Sequence, residues 1–182
     1  MLDFHASSKA IVLRKTKLTE TSLIVSFITE THGRLKAVAK GARKNKGAFS
    51  GQLDLFYLCE ISLRPSSKSE LHTLTEARLI EPYSAIREHY VSLLFASYAS
   101  EWIELATEPE HASPELFHLM QRVLGYLAEK QPDRRALTFF EMEICRASGI
   151  EPESETNASR ELLRHFHRMP ESRRELLAAL KS

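Results

Sequence analysis

At 182 residues, with 43% hydrophobic and 27% charged side chains, the chain has the makeup of a soluble globular protein and the length for one domain or two small ones. No apolar run approaches the length that spans a bilayer, and Met1-Leu2-Asp3-Phe4-His5 lacks the charged and apolar regions of a signal peptide, so a cytosolic protein is expected. The net charge of +1 hides an asymmetry: residues 1–80 hold 13 Lys and Arg against 7 Asp and Glu, and residues 81–182 hold 12 against 17, a basic front and a mildly acidic back.

The front half reads as strands. Residues 9–15 form an apolar-rich run, and residues 21–29 form another through Leu23, Ile24, Val25, Phe27 and Ile28. Thr31-His32-Gly33 then turns into a basic strand, with short connections and β-branched content that favour antiparallel pairing. In residues 34–40 the strand period of two places Arg34, Lys36 and Lys40 on one face and Leu35, Ala37 and Ala39 on the other. After Gly41 the periodicity stops, and Gly41 and Gly47 bracket a loop carrying Arg43, Lys44 and Lys46. Between Glu30 and Asp54 there are six Lys and Arg and no acidic side chain. A row of cations leading into a cationic loop is a track for a phosphate backbone; a solvated loop that aids solubility is the alternative.

Residues 53–63 alternate most clearly, with Leu53, Leu55, Tyr57, Cys59, Ile61 and Leu63 on one face, so a strand with that face in a core is expected. Pro65 to Ser69 is a turn, and residues 71–79 supply a fifth strand. Five short strands hide their edges best by closing into a barrel, of the oligonucleotide-binding (OB) type or SH3-like, with the strand order left open.

Past Glu81-Pro82 the period lengthens to that of helices. Residues 83–107 read as one long helix with an apolar stripe of Ile86, Tyr90, Leu93, Leu94, Tyr98, Trp102 and Leu105. Ser113-Pro114-Glu115 has the makeup of a helix start, followed by a stripe from Leu116 to Leu127. Asp133 caps a third helix that turns Leu137, Phe140 and Ile144 to a core and stops at Gly149. After a polar linker at residues 151–157, two short amphipathic helices follow, one using Leu162, Leu163, Phe166 and Met169, the other opened by Pro170 and using Leu176, Leu177 and Leu180. The fold class expected is therefore α+β with two domains: residues 1–80 a five-stranded OB-type β-barrel that binds nucleic acid, and residues 81–182 an all-α helical domain.

Sequence patterns for chemistry are missing. The eight histidines have poor metal spacing: His165 and His167 point apart on a helix, and His111 and His118 straddle a helix start with no cysteine nearby, so no metal or other cofactor is expected. The gap from Gly41 to Gly47 is wrong for a phosphate-binding GxxxxGK[ST] loop. Cys59 and Cys145, the only cysteines, fall on apolar faces and read as small buried hydrophobes. Glu141 and Glu143 are two apart on a helix and do not converge as an acid and base pair. No enzyme is expected.

Residues 10–49, AIVLRKTKLTETSLIVSFITETHGRLKAVAKGARKNKGAF, resemble the N-terminal region of the bacterial RecO recombination mediators. The shared pattern is a first strand ending in Arg14, the Glu20-Thr21 turn, a strand closing on His32-Gly33, and the Val-Ala-Lys-Gly-Ala-Arg run from Val38 to Arg43. The likeness continues through LTEARLIEP at residues 74–82 and, more loosely, through EWIELATE and FFEMEICRASGIEPE. It implies an OB-type barrel followed by a helical domain, acting without nucleotide hydrolysis. The implied function is a DNA-binding recombination mediator in DNA repair, nucleoid-associated in the cytoplasm. Such a protein binds single- and double-stranded DNA, anneals complementary strands, contacts the C-terminal tail of single-stranded DNA-binding protein, and with RecR helps load RecA. Many members are longer and carry a four-cysteine zinc module after the segment matching residues 149–152; with no cysteine beyond Cys145, no zinc is expected here.

The candidate DNA-binding residues are Arg34, Lys36, Lys40, Arg43, Lys44 and Lys46, with Arg14 contributing if the first strand is adjacent. Phe49 is a candidate for base stacking or, equally, a plug for one end of the barrel, and Phe56 is a second stacking candidate or a contact with the helical domain. The helical domain is the candidate site for the acidic, apolar-ended partner tail, with Arg122 as a rim residue. An RNA-binding barrel protein and a non-catalytic interaction adaptor are the alternative functions.

Overall fold

The computed structural model describes residues 7–152, 154 and 157–180. Its contacts divide the chain into two units: the chain up to Pro82 together with Thr107–Phe117, and Tyr83–Ala106 together with the chain from His118 onward.

The first unit is a closed barrel of β1 (Ser8–Lys17), β2 (Leu23–Thr29), β3 (Gly33–Ala39), β4 (Leu58–Arg64) and β5 (Leu71–Glu81), in the order β1-β2-β3-β5-β4. All neighbours are antiparallel except β3 and β5, which run parallel over only three residue pairs, Lys36–Leu71 to Val38–Thr73. The interior holds Ala10, Val12, Val25, Phe27, Ala37, Ala39, Cys59, Ile61 and Leu74, the inward half of each alternating strand. A register shift between Val12 and Arg14 lets β1 leave this alternation, and Arg14 then pairs with Ser26 while Ser26 pairs with Lys36.

The short parallel ladder leaves the start of β3 without a β5 partner, and residues 107–111 fill that edge. Arg34 forms a parallel bridge with Pro109, the Glu110 amide donates to the Arg34 carbonyl at 3.0 Å, and Gly33 lies against the His111 backbone. Gly33 has φ +67°, and a Cβ there would stand 1.8 Å from the His111 carbonyl oxygen, so this close approach requires glycine.

Two expected elements are shorter than the sequence suggests. The strand expected over residues 53–63 begins only at Leu58, because Phe56 takes a positive φ of 67° and breaks the extended run. Leu53, Leu55 and Tyr57 still pack on the barrel core, so their alternation records burial rather than a strand. The long helix expected over residues 83–107 is interrupted: a 3-10 turn at Ser84–Glu88 ends at an extended His89 (φ −128°, ψ 116°), and α1 runs Tyr90–Ala106. Tyr90, expected in the apolar stripe, is 60% exposed.

The second unit contains α1, most of α2 (Pro114–Glu129), α3 (Arg134–Ala147), α4 (Ala158–Phe166) and α5 (Arg173–Ala179). The expected starts of α2 and α3 are observed, and the Asp133 carboxylate accepts the Ala136 amide at 2.8 Å. The core is aromatic: Phe140 meets Phe95 and Tyr98 edge-on at 5.8 and 5.9 Å, and Phe166 meets Trp102 at 5.4 Å. Leu163, expected to face this core, is 47% exposed, and α5 begins three residues after Pro170. Part of the polar linker, residues 153, 155 and 156, lies outside the described residues. No helix among the described residues is long and apolar enough to cross a membrane.

Candidate nucleic-acid interface

The basic stretch enters the barrel as β3 and leaves it as a loop joining β3 to β4. Strand alternation exposes Lys36 while Leu35, Ala37 and Ala39 are buried. Lys36 lies in one cross-strand row with exposed Arg14, separated by Ser26 of β2. Lys40, Lys44 and Lys46 are exposed and form no ion pair among the described residues. The loop is built from successive tight turns: the Lys44 amide donates to Gly41 O, Gly47 to Lys44 O, and Ser50 to Gly47 O, each at 3.0 Å.

The two arginines of the stretch are differently placed. The Arg34 guanidinium is half-buried and donates through Nε and an Nη to the Thr107 carbonyl, both at 3.3 Å, so it fastens residues 107–111 to the barrel. Arg43 donates through Nη1 to Thr19 O at 3.1 Å and Glu20 O at 2.9 Å, and its amide donates to Thr21 O at 3.1 Å. The basic loop is thereby tied to the turn between β1 and β2. The outward row expected from alternation included Arg34, and the basic loop Arg43; backbone carbonyls outside the strand and loop capture both guanidinium groups.

The aromatic candidates are also differently placed. Phe49 is 6% exposed and belongs to the barrel core, the plug rather than the stacking surface. Phe56 is 3% exposed, its amide donating to Val12 O at 2.9 Å, so its ring is not presented for stacking.

Elsewhere on the barrel, several charges are paired. Lys15 contacts Asp54, Lys17 lies 2.6 Å from Glu20, and Arg78 lies 2.6 Å from Glu60. Hydrogen bonds from Arg78 and Ser7 hold the Glu60 carboxyl below the usual carboxylate range. The cationic loop is thus set apart by a cluster of three exposed lysines, Lys40, Lys44 and Lys46, with no ion pair among the described residues, while its Arg43 lies 3.8 Å from Glu20.

In the helical unit a half-open cavity of about 620 Å³ is lined by Phe95, Leu119, Val123 and Phe139, together with Arg122, Arg135 and Asp133. Phe139 is 60% exposed there, and Arg122 is held by Glu143 at 3.0 Å. The sequence singled out Arg122 but neither Arg135 nor Phe139; the signal for Phe139 was an aromatic residue on the side of its helix away from Leu137, Phe140 and Ile144.

Sequence reasoning also missed Glu141. It is 5% exposed, accepts the Tyr98 hydroxyl at 2.6 Å and pairs with Arg173 Nε at 3.0 Å. Burial, reinforced by the Glu141 charge, pushes the Tyr98 phenol well above its ordinary range. These three side chains join α1, α3 and α5 and are structural. Burial likewise pushes the Cys59 thiol up to about 12 and the Cys145 thiol up to about 11, the latter helped by Glu141 and Glu161. Among the described residues no three His, Cys, Asp or Glu side chains gather into a set that could hold a metal ion.

A closed five-stranded barrel with a cationic loop on its rim, followed in the chain by helices, defines a class: proteins built on an oligonucleotide-binding-type barrel with an appended helical domain. Within that class the match is specific. Residues 2–83 match the family model described as recombination protein O N terminal, and residues 87–179 match that described as recombination protein O C terminal. The chain is 34% identical over 143 residues to the DNA repair protein RecO of Rhodopirellula baltica, covering 79% of this chain and 53% of that one. It is 33% identical over 148 residues to the DNA repair protein RecO of Desulfosudis oleivorans, covering 80% and 57%. To that of Dehalococcoides mccartyi it is 32% identical over 146 residues, again covering 80% and 57%. The chain belongs to the recombination protein O (RecO) family, and it spans a little over half the length of these curated relatives.

Proposed function

We propose that this chain is a DNA-binding recombination mediator acting in DNA repair, which holds DNA by its phosphates and anneals complementary strands without breaking or making a covalent bond. In this reading the barrel, residues 1–80, is the nucleic-acid-binding domain and residues 81–182 are the helical domain. The observation that carries it is the loop of exposed Lys40, Lys44 and Lys46, free of ion pairs among the described residues and continuous with Lys36 on β3. Arg14, in the row with Lys36, adds a fifth cation. Arg34 and Arg43 act by positioning: one fastens the strand edge, the other ties the loop to the neighbouring turn.

Annealing brings two polyanions together. A protein that neutralises phosphates while leaving base edges uncovered lowers that repulsion without competing with pairing, and it serves single and double strands alike. The family name of the relatives, DNA repair protein RecO, favours DNA over RNA as the polyanion.

Partner contacts belong to the helical domain in this reading. The cavity lined by Phe95, Leu119, Val123 and Phe139 together with Arg122 and Arg135 suits a short peptide with an apolar end and a carboxylate, the character of the tail of single-stranded DNA-binding protein. RecR is a further partner, and RecA is served indirectly.

The test is annealing of complementary strands by the full chain, alone and with strands coated by single-stranded DNA-binding protein. Faster annealing than the uncatalysed reaction in both is expected. No acceleration in either, with no retardation of any oligonucleotide at low salt, would leave the protein as an interaction adaptor; preference for RNA of the same sequence would make it an RNA-binding barrel.

A further inference from the structure

Neutralising phosphates holds a strand by its backbone and leaves open what meets its bases. Neither of the two aromatic candidates, Phe49 and Phe56, is presented, since both are buried. The turn between β1 and β2 presents a different group. Leu18 is 45% exposed there, and among the described large apolar side chains of the barrel unit only Ile80, on β5, is comparably exposed, at 39%.

Leu18 stands on a rigid support. Its amide donates to Ser22 O at 3.1 Å, the Thr19 amide donates to the same carbonyl at 3.3 Å, and the Thr19 hydroxyl oxygen accepts the amides of Thr21 at 3.3 Å and Ser22 at 3.0 Å. The next two residues carry the carbonyls on which Arg43 is anchored, so the cationic loop is tied beside Leu18. Lys17 precedes it, and the one carboxylate of the turn, Glu20, is engaged by Lys17 at 2.6 Å and lies 3.8 Å from Arg43.

We propose that Leu18 is a base-contacting residue: its side chain packs against the face of a nucleobase in the strand whose phosphates Lys40, Lys44 and Lys46 hold. The inference rests on the phosphate-binding reading of that loop. Leucine is among the apolar side chains that nucleic-acid-binding proteins set against or between bases, and an apolar contact with a base face is indifferent to sequence. One such contact at the rim orients the strand while its remaining bases stay free to pair.

The experiment uses the full chain, fluorescence anisotropy, and two labelled oligonucleotides of equal length, one of thymidine and one with every base removed. Covering the exposed half of a leucine side chain corresponds to about a fivefold change in affinity. Leu18→Ala is therefore expected to weaken binding of the thymidine strand by about fivefold and to leave the abasic strand and both salt slopes unchanged. In a Leu18→Trp variant the added indole is expected to be quenched by the thymidine strand and not by the abasic one; Trp102 is fully buried and contributes a constant background. Unchanged affinity of Leu18→Ala for the thymidine strand, or equal loss for both strands, would overturn the base contact while leaving the phosphate reading intact. Failure of the wild-type chain to bind either strand would overturn both.

Discussion

Gly33 marks a point where one atom decides the local structure. Its φ of +67° and the His111 carbonyl oxygen 1.8 Å from where a Cβ would lie make Gly33→Ala destabilising by at least about 2 kcal/mol, from backbone strain and lost packing together. Thermal unfolding is expected to show a Tm lowered by roughly 4–8 °C for a chain of this size. The two thiols give a second test at this scale. Cys59, raised to about 12, and Cys145, raised to about 11, are expected to resist a thiol reagent at pH 8 in the folded protein and to react fully once it is unfolded. In the unfolded chain both ionise near their ordinary pKa of roughly 8.5, so their contribution to stability is whole below that pH. It falls as pH rises through 9 toward 11 and 12, and denaturant midpoints measured across that range are expected to decline. The exposure of Lys36 was legible in the sequence, because a strand's period of two is strict. The capture of Arg34 by Thr107 was not, since that carbonyl comes from a segment 73 residues away.

At the scale of elements, the buried carboxylate of α3 is the most consequential side chain of the helical unit. Glu141 receives a phenol and a guanidinium from two other helices, and Glu141→Ala leaves Arg173, itself mostly buried, without its partner. A loss of about 2–4 kcal/mol is expected in denaturant unfolding, with Glu141→Gln costing less because it still accepts the Tyr98 hydroxyl. The helical period hinted at this burial: Leu137, Phe140, Glu141, Ile144 and Cys145 share one stripe, yet a carboxylate there reads as solvated until its two partners are brought in from α1 and α5. The same kind of limit explains residues 53–57. Alternation reports which side chains are buried, and a loop folded under a barrel end satisfies it as well as a strand does. The five strands themselves were legible, because turns punctuate them and the first two are apolar, β-branched runs while the third and fourth alternate; the parallel β3–β5 pairing was not, since nothing local in a sequence encodes which edges meet.

For the molecule as a whole, family membership and fold agree with the sequence reading, and within the basic front half the β3–β4 loop presents Lys40, Lys44 and Lys46 exposed and without an ion pair among the described residues. The helical unit offers a largely apolar cavity whose lining includes Arg122 and Arg135. The central claim is that Lys44 and Lys46 hold phosphates electrostatically. It is tested most directly by the salt dependence of single-stranded DNA binding for the wild-type chain and for Lys44→Ala/Lys46→Ala. Each phosphate contact adds about 0.7 to the slope of log affinity against log salt, so the double variant is expected to bind more weakly with a slope shallower by about 1.4, whereas an unchanged slope would contradict the account.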